Sequence, residues 1–164
     1  MYYRFGKVFY FLSILVFLLT LLFWYAALPA MVGFQVDDLG TVIQEFEKSS
    51  FFYTMAATFL ILNLLVMYLP KSLETKANRK LHRFFPLGDP FRDYLLLWFY
   101  SFGGWVNLGL VLTGLFVHVI NKQDDLGIEA YRLWFFLLPL VLMAWIIGLF
   151  ILLVKKFKTA QQAS

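Results

Sequence analysis

Four stretches of this chain, at about 8–28, 51–69, 94–120 and 133–154, contain no Lys, Arg, Asp or Glu. Nothing else in the sequence constrains the fold so tightly. A helix of about 20 residues rises about 30 Å, the thickness of a bilayer's hydrocarbon core. In that medium the backbone has no water to bond, and a helix satisfies its N–H and C=O groups within one segment. The short alternating strands of an outer-membrane barrel are missing. Composition agrees: 62% of the 164 residues are hydrophobic and 15% are charged, more apolar surface than a soluble domain of this size can cover. The first stretch follows Arg4 and Lys7 and closes on "AALPA", the outline of a signal peptide. Its apolar run exceeds a signal core, so it is expected to remain as an anchor. The expectation is an all-α integral membrane protein, one domain over 1–164, with four transmembrane helices in an up-down bundle joined by short connectors.

Charge sets the orientation. Arg4 and Lys7 precede span one; Lys71, Lys76, Arg79, Lys80, Arg83 and Arg92 lie between spans two and three; Lys155, Lys156 and Lys158 follow span four. The other two connections hold only Lys48, Lys122 and Arg132, beside Asp37, Asp38, Glu45, Glu47, Asp124, Asp125 and Glu129. Positive segments stay cytoplasmic, which predicts N-in and C-in. Within the basic loop 70–93, Leu73, Ala77, Leu81 and Phe84 recur at helical spacing with Lys76, Arg79, Lys80 and Arg83 on other faces. This predicts a short amphipathic helix on the inner leaflet, where Lys71, Lys76, Arg79, Lys80 and Arg83 meet anionic headgroups. One short basic helix against lipid is no nucleic-acid site. Between spans one and two, "VDDLGTVIQEFEKSS" reads as a capped interfacial helix or tight loop with Leu39, Val42, Ile43 and Phe46 on one face. Its acids lack calcium-loop spacing. "NKQDDLGIEAYR" reads as a plain connector.

Span three is the unusual one. Tyr100, Gly104, Asn107, Val111, Gly114 and His118 follow one another at steps of four, three, four, three and four, so they share one helix face. Spans associate through close packing at small residues and through a few interhelical hydrogen bonds. The stripe is therefore read as a packing face, with Asn63 on span two and Ser13 and Thr20 on span one as candidate partners. Ala144 and Gly148 make a small-xxx-small pair on span four. Aromatic residues near the predicted boundaries, including Tyr3, Trp24, Tyr25, Tyr68, Tyr94 and Trp98, read as an interfacial belt.

The sharper readings have less behind them. Asn63, Asn107 and His118 would line a cavity for a small molecule or lipid. A haem or quinone would have to be shared with a partner subunit, because His82 and His118 fall at opposite ends of the bundle. No cysteine is present, which removes thiol nucleophiles and iron–sulfur ligation. The G-x-x-x-x-G-K-[ST], H-E-x-x-H and G-x-S-x-G signatures are missing, and no catalytic residue, cofactor or metal is expected.

"YAALPAMVGFQVDDLG" followed by "EKSSFF" resembles a bacterial membrane family related to immunity proteins against a sporulation-delaying toxin. Leu28 and Pro29 match its Leu-Pro, and Asp37, Gly40 and Lys48 fit its turn and following lysine, while Gly33 and Gln35 stand where the family has proline and histidine. The resemblance implies a bacterial inner membrane. Together these features predict a non-enzymatic subunit of a larger membrane complex, with other integral membrane proteins and anionic lipids as partners. A reporter fused after Ser164 is expected to stay on the cytoplasmic side, and external protease is expected to spare Arg79; export of the reporter or cleavage there would reverse the orientation.

Overall fold

The computed structural model describes residues 3–36, 42–75, 85–122 and 125–162. Four helices dominate: α1 (Tyr3–Ala27), α2 (Lys48–Glu74), α3 (Pro90–Lys122) and α4 (Asp125–Gln162). Each contains a segment long and apolar enough to cross a membrane, in α4 the segment Phe136–Lys156. All four exceed the charge-free stretches, because a helix continues until something outside the hydrocarbon stops it. Of the expected amphipathic helix, Leu73 and Lys71 instead belong to the last turns of α2, where Leu73 is buried in the core, while Lys76, Ala77, Arg79, Lys80, Leu81, Arg83 and Phe84 lie outside the described residues.

The all-α expectation needs one correction. The segment after α1 is not an interfacial helix but a two-stranded antiparallel hairpin, β1 (Met31–Val36) and β2 (Val42–Glu47). Met31 pairs with Glu47, Val32 with Phe46 and Gly33 with Glu45, before the register slips past Phe34. The apolar residues that sit at helical spacing in this segment also fit a strand pair: β-branched and aromatic side chains suit a pleated ribbon. Val32 is buried against the helices and Phe34 lies beside Phe46 with ring centroids 4.9 Å apart. The connector before span four is corrected likewise, since α4 is already helical from Asp125.

Helix α3 is the hub, touching α1, α2, α4 and the hairpin. Its contacts with α1 ascend together: Gly6 meets Leu97, Phe9 meets Gly104 and Trp105, Ser13 meets Asn107, and Trp24 meets Gly114. Contacts between α1 and α2 run in opposite senses, from Tyr10 with Asn63 through Phe17 with Phe59 to Trp24 with Phe51. Contacts between α3 and α4 do the same, from Asp89 with Lys156 through Trp98 with Trp145 to Gly109 with Leu138. The core divides into two clusters. One surrounds Phe17, Trp24, Phe51 and Phe59 near the hairpin, and the other surrounds Tyr10, Met67, Leu96 and Tyr100 near the opposite end.

Local chemistry sets where α3 begins. Gly88 takes φ 90° in the Pro86–Asp89 turn, and the Asp89 N–H donates to the Pro86 carbonyl at 3.2 Å. A positive φ suits glycine, which has no Cβ to strain. Asp89 then caps the helix by accepting the Phe91 N–H at 2.9 Å, with Pro90 at the first helical position. The same carboxylate binds the Lys156 ammonium from α4. Burial pushes the Asp89 carboxyl up, but the Lys156 bond and the Phe91 N–H outweigh that and hold it below the usual carboxylate range, so it is charged at neutral pH.

Two glycines show how closely α1 and α3 approach. A Cβ at Gly104 would fall on the Phe9 ring, and one at Gly114 inside the Trp24 indole. Trp24 is therefore a core residue, fully buried, not part of an interfacial belt. Gly148 on α4 has no atom near its missing Cβ. Gly114→Leu is expected to cost about 1–3 kcal/mol by overpacking, and Gly148→Leu to stay within about 0.5 kcal/mol of the parent. Unfolding of the detergent-solubilised chain measures both, and equal losses would contradict the packing.

Candidate functional site: a polar network inside the helices

All six residues of the α3 stripe, from Tyr100 to His118, are buried. At its centre is Asn107, 0% exposed. Its amide Nδ2 donates to Ser13 Oγ on α1 at 3.0 Å, and its Oδ1 accepts from Asn63 Nδ2 on α2 at 2.8 Å. Asn63 spends its second N–H on the Phe59 carbonyl at 2.8 Å, while its Oδ1 accepts the Tyr10 hydroxyl at 2.8 Å. Ser13 Oγ donates to the Tyr10 carbonyl at 2.7 Å. Four side chains on three helices thus form one connected path, and both asparagines use donor and acceptor alike. A buried polar group without a partner costs free energy, whereas a closed network of this kind fixes the register of the elements it joins.

Thr20, the other sequence candidate on α1, stays outside the network. Its hydroxyl lies 2.9 Å from the Val16 carbonyl and 3.0 Å from the Phe17 carbonyl of its own helix. His118 also stays apart. It lies eleven residues beyond Asn107 on α3, about 16 Å along the axis, edge-on to Phe23 with ring centroids 5.4 Å apart. Among the described residues neither His118 Nδ1 nor Trp24 Nε1 has a hydrogen-bond partner. The cavity imagined around Asn63, Asn107 and His118 is therefore not one space: Asn63 and Asn107 bind each other, and His118 belongs to the far end of the helix. Ala144 is exposed and Gly148 half-buried on α4.

Polar contacts that the sequence reading missed lock both ends of the bundle. At one end, Lys7 on α1 pairs with Glu74 on α2 at 2.5 Å, and the Tyr100 hydroxyl of α3 donates to the same carboxylate at 3.0 Å. Arg92, buried at the start of α3, donates to the Leu73 carbonyl at 2.6 Å. At the other end Asn121 grips the hairpin: it accepts the Gly33 N–H at 2.8 Å and donates to the Gly33 carbonyl at 2.9 Å. Lys48 donates to the Leu28 carbonyl, just past the end of α1, at 3.1 Å. Arg92 and Lys48 thus place a cation on an orphaned carbonyl at each end, where the helix dipole favours positive charge. Asn121 was visible in the sequence, since one more step of three carries the stripe from His118 to it.

No protein-family model, curated protein or solved structure matches the chain. The geometry therefore carries the functional argument. Replacing Asn107 with Leu strands Asn63 and Ser13 and is expected to cost about 1–3 kcal/mol. The Asn63→Leu, Asn107→Leu double variant should lose less than the sum of its parts by about 1 kcal/mol in a double-mutant cycle of unfolding in detergent. Strict additivity would mean the two amides do not bond.

Proposed function

We propose that this chain is a non-enzymatic, multi-pass protein of a bacterial cytoplasmic membrane, acting as an accessory subunit of a larger membrane complex. Its helices alternate up and down with both termini inside. The contact senses described above support that alternation, and the gathering of basic residues at the termini and the 70–93 loop supports the orientation. The resemblance around Leu28 and Pro29 supports a bacterial source.

One observation carries the subunit reading. The small and polar stripe of α3 is consumed inside the chain, under Phe9, Ser13, Asn63 and Trp24, whereas none of the apolar segment Phe136–Lys156 of α4 is buried. On that helix, which packs on α3 along one side, Ala144 and Gly148 stand one turn apart with open space beside Gly148. Small residues at this spacing let a second transmembrane helix approach closely. Polar contacts between α4 and the chain include Trp98 Nε1 donating to the Trp145 carbonyl at 2.9 Å and the Asp89–Lys156 pair.

The absence of cysteine makes the test clean. A Gly148→Cys variant treated in membranes with a short thiol-to-amine cross-linker is expected to give one adduct of defined mass. Gly148→Leu should abolish co-purification of that partner in mild detergent without lowering the chain's own stability. Purification of the parent as a lone monomer with no adduct would refute the subunit reading.

A further inference from the structure

Helices α1 and α2 meet closely from Trp24 on Phe51 to Phe17 on Phe59, and beyond that leave a groove between residues 10–14 of α1 and 60–75. The groove holds about 540 Å³ and is floored by Tyr10, Asn63 and Tyr100. Its walls are apolar, with Phe11 and Ile14 from α1 and Leu60, Leu64 and Met67 from α2. It ends at Lys71, Ser72 and Thr75.

The polar atoms on the floor of this groove are spoken for, and the exposed Tyr68 stands one turn from Lys71. Asn63 uses both N–H groups and its carbonyl within the network, and Tyr10 donates to Asn63. Tyr100 donates to Glu74. Ser72 and Thr75 donate to the Tyr68 and Lys71 carbonyls of their own helix. A polar solute would find no free donor along the floor. Lys71 is different: it is exposed, and among the described residues its ammonium has no ion-pair partner. From Lys71 to Leu60 is eleven helical residues, about 16 Å, and one leaflet of hydrocarbon is about 15 Å deep. The shape and chemistry are those of an amphiphile: an apolar tail one leaflet long with an anion at its head.

We propose that this groove is a binding site for one anionic phospholipid, an acyl chain lying along Ile14, Leu60 and Leu64 and the phosphate held by Lys71. The groove faces the bilayer, so the lipid enters sideways from its own leaflet. The site is independent of the α4 surface assigned to a partner subunit.

The probe is the full chain reconstituted in vesicles of equal phosphatidylglycerol and phosphatidylcholine, then extracted in mild detergent for native mass spectrometry. One phosphatidylglycerol per chain should be retained in preference to phosphatidylcholine. Lys71→Gln is expected to reduce its retention about fivefold, and Lys71→Arg to keep it. Leu64 is 73% exposed, so Leu64→Trp fills the groove without disturbing the core and should expel the lipid while leaving the unfolding midpoint unchanged. Equal retention of both lipids, or retention of phosphatidylglycerol unaltered by both Lys71→Gln and Leu64→Trp, overturns the proposal. So does a free fatty acid, or no lipid at all, found in the parent.

Discussion

An amide placed in hydrocarbon has to find its partners inside the protein, and Asn107 finds them on two other helices at once. Everything else about the bundle is consistent with that demand. Its Nδ2 fixes the height of α1 against α3 through Ser13, and its Oδ1 fixes the height of α2 through Asn63. Apolar side chains can slide past one another at small cost, but these hydrogen bonds cannot be displaced by half a turn without stranding a donor. Each such bond contributes only about 0.6–2 kcal/mol in a membrane. Their value lies in register more than in bulk stability.

The bundle is closed at both ends by related devices. Helix C-termini expose carbonyls that nothing in the same helix can satisfy. Arg92 covers one such carbonyl at the end of α2, and Lys48 covers one just beyond α1. Each cation belongs to the element that begins where the other ends, so capping a helix also fastens its neighbour. Asn121 does the corresponding work for the hairpin, pairing with both backbone groups of Gly33. Glu74 gathers Lys7 and Tyr100 from the other two helices of the core. α4 packs on α3, and none of its Phe136–Lys156 segment is fully buried.

Much of this is legible in the sequence. Charge-free runs located four helices, and a step pattern of four and three located the buried face of α3, because both signals depend only on helix periodicity and the cost of charge in lipid. Asn63 and Ser13 were identifiable as partners because so few polar residues share the spans with Asn107. What escaped the sequence had a common physical cause. The hairpin was hidden because Val42, Ile43 and Phe46 satisfy helical and strand patterns alike, and pairing with Met31–Gly33 decides between them. Trp24 sits where a belt aromatic belongs, and only the space left by Gly114 turns it inward. Arg92 and Lys48 read as loop charges because a cation on a backbone carbonyl leaves no residue-type signature. The groove was invisible for the same reason, being a property of how far two helices diverge.

The network also has an order in time. Ser13 and Asn107 are separated by 94 positions in the chain, and Asn63 and Asn107 by 44. At a synthesis rate of about 5–20 residues per second, Ser13 waits about 5–20 s for the amide it will bond. During that interval the first two helices hold polar groups whose eventual partner has not yet been made. Until then Ser13 and Asn63 rely on bonds within the first two helices, to the Tyr10 and Phe59 carbonyls and the Tyr10 hydroxyl, and the third helix completes the set. α4 joins last, onto a trio already locked.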